Sequence, residues 1–128
     1  MKQSALNQLK NMTTIVADSS DLSAIEKFRP LDATTNPSLI TAAANQPENK
    51  KLIEDAFDQA KQEGYANDEL IERTIDILTV KFGVEILKLI EGPVSTEVDA
   101  THTHDTDATI AKAKELLALY KQYGIDPN

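Results

Sequence analysis

The sequence predicts an α/β fold: a partial (β/α)8 barrel made of about the first three βα units with a short leading helix. Three observations carry this reading. Strand-like runs alternate with helical patterns, an order that gives parallel pairing through right-handed crossovers. Each strand-like run finishes in polar residues that can gather at one edge. Three parallel strands make a narrow sheet, and an all-parallel sheet is normally covered on both faces or closed into a barrel. The chain has 128 residues, whereas a complete (β/α)8 barrel takes about 250. With only 4 Gly and 5 Pro and no Ser-rich linker, residues 1–128 read as one unit without an internal boundary.

Residues 4–11 predict a short amphipathic helix with Leu6 and Leu9 on one side. Thr13-Thr14-Ile15-Val16-Ala17 is β-branched, and Asp18-Ser19-Ser20-Asp21 stops it, a strand followed by a helix-start signal. Residues 22–28 have helical spacing, which Pro30 ends. A strand at 31–35 leads into Asn36 as N-cap and Pro37 at the first helical position, where its missing N–H costs nothing. That helix runs to about Ala44. Residues 48–63 form the next, with Leu52, Ile53, Ala56, Phe57 and Ala60 on one stripe and Gly64 as stop. Residues 68–90 are helical, with Leu70, Ile71, Thr74, Ile75 and Leu78 carrying the early period. Gly83 marks a kink or a close packing contact. Gly92-Pro93 breaks the pattern. Residues 94–100 then alternate with period two, Val94, Thr96, Val98 and Ala100 on one side and Ser95, Glu97 and Asp99 on the other. Asp105 opens a last helix with Ile110, Ala113, Leu116, Leu117 and Tyr120 as its stripe, and Gly124 stops it.

Composition narrows the function. Thirteen basic against 21 acidic side chains give a formal net charge of −8. That argues against a nucleic-acid backbone or an anionic membrane as partner, while a small anionic substrate needs only a local positive pocket. Without Cys, thiolate catalysis, disulfides and Cys-ligated zinc are excluded. Met1-Lys2-Gln3-Ser4-Ala5 begins no apolar run of the signal-peptide kind, and no stretch approaches a membrane span of about 20 apolar residues. The expected setting is the cytoplasm.

The C-terminal ends of parallel strands form the ligand face in such folds. Asp18 lies at the first, Thr34 and Asn36 at the second, Glu97 and Asp99 at the third. Carboxylates at Asp18 and Glu97 with an amide between them suit proton transfer on a hydroxylated small molecule. Plainer roles compete: Asp18 as a helix cap, Asn36 as an N-cap whose amide N–H2 still faces a ligand, Glu97 and Asp99 as surface carboxylates. His102-Thr103-His104 on a strand would put two imidazoles on one face at metal-ligand spacing. A catalytic zinc usually takes three protein ligands, and acidic side chains would have to complete the set. The competing role is a polar loop leading into a helix. Lys50-Lys51 and Lys112/Lys114 read as solvated helix faces.

The stretch Asp32-Ala33-Thr34-Thr35-Asn36-Pro37-Ser38-Leu39-Ile40 closely resembles the N-terminal signature of the transaldolase family. Val16-Ala17-Asp18 resembles the end of that family's first barrel strand, Ser95-Thr96-Glu97-Val98-Asp99-Ala100 its third, and residues 83–90 the long helix before it. Three separated motifs occur in order and cover nearly the whole chain. The resemblance implies a (β/α)8 barrel and a class I Schiff-base mechanism. In it a dihydroxyacetone unit passes from sedoheptulose 7-phosphate or fructose 6-phosphate to an aldose phosphate, in the non-oxidative pentose phosphate pathway. A lysine amine attacks the ketone, and C3–C4 cleavage leaves a carbanion delocalised into an enamine. No metal or organic cofactor is implied, the imine being the electron sink. By this resemblance Asp18 takes the C4 hydroxyl proton, Glu97 works through a water in forming and dehydrating the carbinolamine, Asn36 hydrogen-bonds the dihydroxyacetone part, and Thr34 shapes that wall. Asp99 receives no role.

The departure from the family is as informative. Its Schiff-base lysine lies on the fourth strand, just after the segment at which this sequence stops. None of the lysines here, Lys81 and Lys88 included, stands in that context, and Arg29 and Arg73 match none of the family's phosphate-binding arginines. The expectation is therefore a transaldolase-type chain truncated before its Schiff-base lysine and inactive alone. A truncated product, a fragment and one piece of a split enzyme all fit, with a homodimer or a complementing C-terminal part of the barrel as partner. The alternatives are a non-catalytic half-barrel interaction module and a metal-dependent barrel enzyme using His102 and His104.

Overall fold

A computed structural model of the chain describes residues 3–126; Met1, Lys2, Pro127 and Asn128 lie outside them. In chain order come α1 (Ala5–Lys10), β1 (Val16–Asp18), α2 (Leu22–Phe28), β2 (Asp32–Thr35), α3 (Pro37–Ala44), α4 (Lys50–Gln62), α5 (Asn67–Leu87), β3 (Val94–Thr96) and α6 (Thr106–Gln122). Short 3-10 turns at Pro47–Asn49 and Ala100–His102 precede α4 and α6. The strands form a parallel sheet in the order β1-β2-β3. Ala17, Ala33 and Val94 stand opposite one another in register, as do Asp18, Thr34 and Ser95.

Strand lengths are set by partners rather than by β-propensity. Pairing was expected from Thr13, but β1 begins at Val16 because its neighbour β2 begins only at Asp32, just after Pro30, which has no N–H to give. Asp18 is thus the last residue of β1, not part of its stop. The third strand was expected to run to Ala100 and ends at Thr96. Its neighbour finishes at Thr35, since Asn36 turns away to cap α3 and Glu97 finds no ladder partner.

One face of the sheet is covered. Ala17, Ala33 and Val94 pack under Ile25 of α2 and Ile86 of α5. The larger core lies between α3, α4, α5 and α6, where Ile40, Ala56, Ile77, Val80, Phe82 and Leu119 are all nearly or fully buried. Removing a side chain such as Phe82 from water contributes about 1.5–3 kcal/mol. The α5 stripe differs from expectation: Ile71 and Ile75 are 59% and 46% exposed, while Ile77 and Val80 are buried.

Arg73 takes a buried place on α5 because two carboxylates meet it. Its Nε donates to Glu63 Oε2 at 2.6 Å and its Nη1 to Glu115 Oε1 at 2.9 Å. Lys112, expected in solvent, is half-buried and bridges Asp76 and Glu115 at 2.7 and 2.9 Å. Gly83 marks a close packing contact: it lets the Tyr120 hydroxyl of α6 approach, and a Cβ there would lie 1.8 Å from that oxygen.

The opposite face of the sheet is bare. It carries Val16, 49% exposed, followed by Asp18, Asp32, Thr34 and Ser95, which are exposed or half-buried. No described helix is long and apolar enough to cross a membrane.

Candidate active site

Two of the polar strand ends meet on the exposed face of the sheet. Asp18 and Thr34 are register partners on β1 and β2, and the Thr34 hydroxyl donates to Asp18 Oδ1 at 2.9 Å. The competing role of Asp18, capping the next helix, belongs to a different residue. Asp21 is the N-cap of α2, accepting from the Ala24 N–H at 3.0 Å, and a bond from the Ser23 hydroxyl helps hold its carboxyl below the usual range. Asp18 is therefore left exposed at the strand end, with one oxygen engaged by Thr34.

Asn36 takes the expected N-cap position. Its Oδ1 accepts from the Leu39 N–H at 2.9 Å and so caps α3, ahead of Pro37 at the first helical position. Its Nδ2 makes no hydrogen bond among the described residues and remains able to donate. Thr35, between Thr34 and Asn36, points the other way and is fully buried, its Oγ1 without a hydrogen-bond partner among the described residues.

Glu97 follows the last residue of β3 directly and is exposed. Asp99 is drawn into a local role: it caps the 3-10 turn, accepting from the Thr101 N–H at 2.8 Å. That backbone bond, with one from the Thr101 side chain, holds its carboxyl below the ordinary range. His102 and His104 are not on a strand. His102 ends the 3-10 turn, half-buried, and His104 is exposed beyond it. Among the described residues no group of three or more His, Asp or Glu side chains has metal-holding geometry.

Lys88 and Lys10 stand at the other end of the strands. Lys88 follows the end of α5, pairs with Glu85 at 2.6 Å, and lines a cavity of about 780 Å³ with Lys10, Thr13, Ile15 and Leu31, at the end where the strands begin. Lys10 holds that end together, its ammonium donating to the Phe28 and Arg29 carbonyls at the C-terminus of α2.

Two features of the site were not read from sequence. The Thr34–Asp18 bond had a signal, since both residues close strands of a parallel pair. The link between Thr96 of β3 and Tyr120 of α6, with their oxygens 2.6 Å apart, had only Gly83 to announce it.

The sequence has relatives along nearly its whole length. Residues 15–127 match the family model described as transaldolase/fructose-6-phosphate aldolase. A protein named transaldolase from Trichormus variabilis is 51% identical over 130 residues, 99% of this chain and 39% of that relative. One from Prochlorococcus marinus is 52% identical over 127 residues, 97% of this chain and 38% of the relative. One from Cricetulus griseus is 54% identical over 123 residues, 96% of this chain and 36% of the relative. The chain thus spans under two-fifths of the length of these relatives. With half of its residues shared across nearly its whole length, and Asp18, Thr34, Asn36 and Glu97 inside the matched region, the chain belongs to the transaldolase/fructose-6-phosphate aldolase family.

Proposed function

We propose that residues 1–128 are the N-terminal part of a transaldolase-type (β/α)8 barrel and supply the proton-transfer half of its active site. The Schiff-base lysine comes from the remainder of the barrel, in the same polypeptide or a separate one. The observation that carries this reading is the Asp18–Thr34 pair. A carboxylate at the end of a parallel strand, relieved of any capping duty, is oriented by the hydroxyl of Thr34, two residues before Asn36.

The substrates proposed are sugar phosphates: sedoheptulose 7-phosphate or fructose 6-phosphate as donor, an aldose phosphate as acceptor. After the lysine amine condenses with the donor ketone, Asp18 accepts the C4 hydroxyl proton. The C3–C4 bond breaks, its electron pair passes into the protonated imine, and an enamine and an aldehyde result. Protonated Asp18 returns the proton when the acceptor aldehyde adds. Glu97 moves protons through a water while the carbinolamine forms and loses water. Asn36 Nδ2 donates to the dihydroxyacetone oxygens, and Thr34 keeps one Asp18 oxygen engaged so that the other faces the substrate. The chemistry needs no cofactor beyond the imine, and the cytoplasm is its proposed setting.

The experiment uses a fusion of this chain to the remaining part of the Trichormus variabilis relative. In single turnovers, Asp18→Asn should slow C–C cleavage by about 10²–10⁴-fold, the usual contribution of a general acid/base group. Glu97→Gln should slow imine formation more than cleavage. Unchanged cleavage in Asp18→Asn contradicts the assignment.

A second reading, a half-barrel acting only as an interaction module, is favoured by one feature. An apolar groove of about 650 Å³ runs between β3 and α6, lined by Val94, Val98, Leu116 and Leu117 among others. A fusion without turnover but with tight pairing of the two parts would select it.

A further inference from the structure

Tyr120 lies in the middle of the buried face of α6, 6% exposed. Its ring fills the space between α6, α5 and the sheet, which phenylalanine would do as well. The hydroxyl needs a separate reason. It sits where a Cβ on residue 83 would be, 1.8 Å from that position, and so requires the glycine inside α5. A glycine within a helix is less favourable than alanine by about 1 kcal/mol. What the hydroxyl reaches is Thr96 Oγ1, at 2.6 Å.

Thr96 is the last residue of β3 and directly precedes Glu97. Glu97 is the next residue along the chain, so anchoring the Thr96 side chain on the helix side constrains the point from which Glu97 departs. Val94 and Val98 on either side pack their side chains against the helices, and Thr96 adds the hydrogen bond described for the end of the strand. Strand β3 has a ladder neighbour on one side only, and Thr96 is the last residue to pair, with Thr35. Thr35 Oγ1, on the same face of the sheet, makes no hydrogen bond among the described residues and gives no second tether.

We infer that Tyr120 is a positioning residue for Glu97: its hydroxyl, admitted by Gly83, tethers the end of β3 through Thr96 and so sets where the Glu97 carboxylate stands. The inference rests on the proposed role of Glu97 only for its catalytic consequence; the tether itself is independent of that role.

The test has two arms. In the full chain, hydrogen exchange of residues 94–98 is followed by mass spectrometry. Tyr120→Phe should speed exchange there about five- to tenfold, as expected for loss of one buried hydrogen bond. Thr96→Val should do the same, the double variant should go no further, and Thr96→Ser should recover most of the protection. Tyr123→Phe is the control: it removes another phenol, bonded to Gln59 at 2.6 Å and away from β3, and should leave this segment unchanged. Exchange that speeds up no more at 94–98 than in β1 and β2, or a segment unprotected before any substitution, overturns the tether. In the fusion, Tyr120→Phe should slow imine formation about tenfold with cleavage unaffected, a loss that a catalytic proton-transfer group can produce when misplaced. An exchange effect without that kinetic loss overturns the positioning role and leaves a structural bond. A fusion that forms no imine at all instead defeats the Schiff-base reading, and the exchange arm still decides the tether.

Discussion

Asp18 and Asp21 show how the same side chain acquires different work within one turn of chain. Asp21 faces the free N–H groups of α2 and is satisfied by them, whereas Asp18, still in the sheet, accepts from Thr34. Buried charge follows the same logic of partners. Burial alone would raise the Glu63 carboxyl, but hydrogen bonds from Arg73 and Gln59 outweigh it and hold it below the ordinary value of 4.5. The folded state then binds this proton less readily than the unfolded state, so the group stabilises the fold above pH 4.5 and its contribution is lost as pH falls below. Thermal melts of the fusion should therefore show Glu63→Gln less stable than the parent at neutral pH, with the gap closing as pH falls from neutral to below 4.5. A constant gap across that range contradicts the pairing. Asp76 runs the other way, pushed up by burial despite Lys112 beside it, and it cancels in the comparison. Of these residue roles, Asn36 was legible because Asn-Pro before an apolar run has a local mechanism. Arg73 was not: its partners stand 10 and 42 residues away, and nothing near it in sequence announces them.

Among the elements, helices were more legible than strands for a physical reason. A helix satisfies its own backbone, so caps such as Asn36 and Asp105 and stops such as Gly64 mark its ends locally. A strand lasts only as long as its neighbour, and both β1 and β3 are shorter than their propensities suggest. The junction of α5 with α6 is tight at one point, where Gly83 meets Tyr120. Gly83→Ala gains about 1 kcal/mol of helix propensity and forces the buried ring aside, an overpacking that costs about 1–3 kcal/mol. The substitution should be destabilising in the parent and less so in Tyr120→Phe, where the oxygen at 1.8 Å is gone and the ring carbon at 2.9 Å remains. Denaturant titration of the four proteins closes this cycle; equal effects in both backgrounds would mean the hydroxyl is not what Gly83 accommodates.

At the scale of the molecule, helices cover one side of the sheet and Asp18 stands with Thr34 on the other. The bare face, the outer edges of β1 and β3 and the apolar groove beside α6 are surfaces that association would cover. Against a net charge of −8, which favours separation, the chain should still self-associate. Light scattering should find species heavier than the 14.1 kDa monomer, and a monomer at every concentration contradicts the expectation. The central claim is a division of labour: proton transfer from this chain, imine formation from a lysine outside it. Borohydride reduction in the presence of fructose 6-phosphate, followed by peptide mass mapping, tests it most directly. The chain alone should acquire no adduct, and the fusion should acquire one on a lysine beyond residue 128. A stoichiometric adduct on Lys88, or on any other lysine of this chain, would contradict the account.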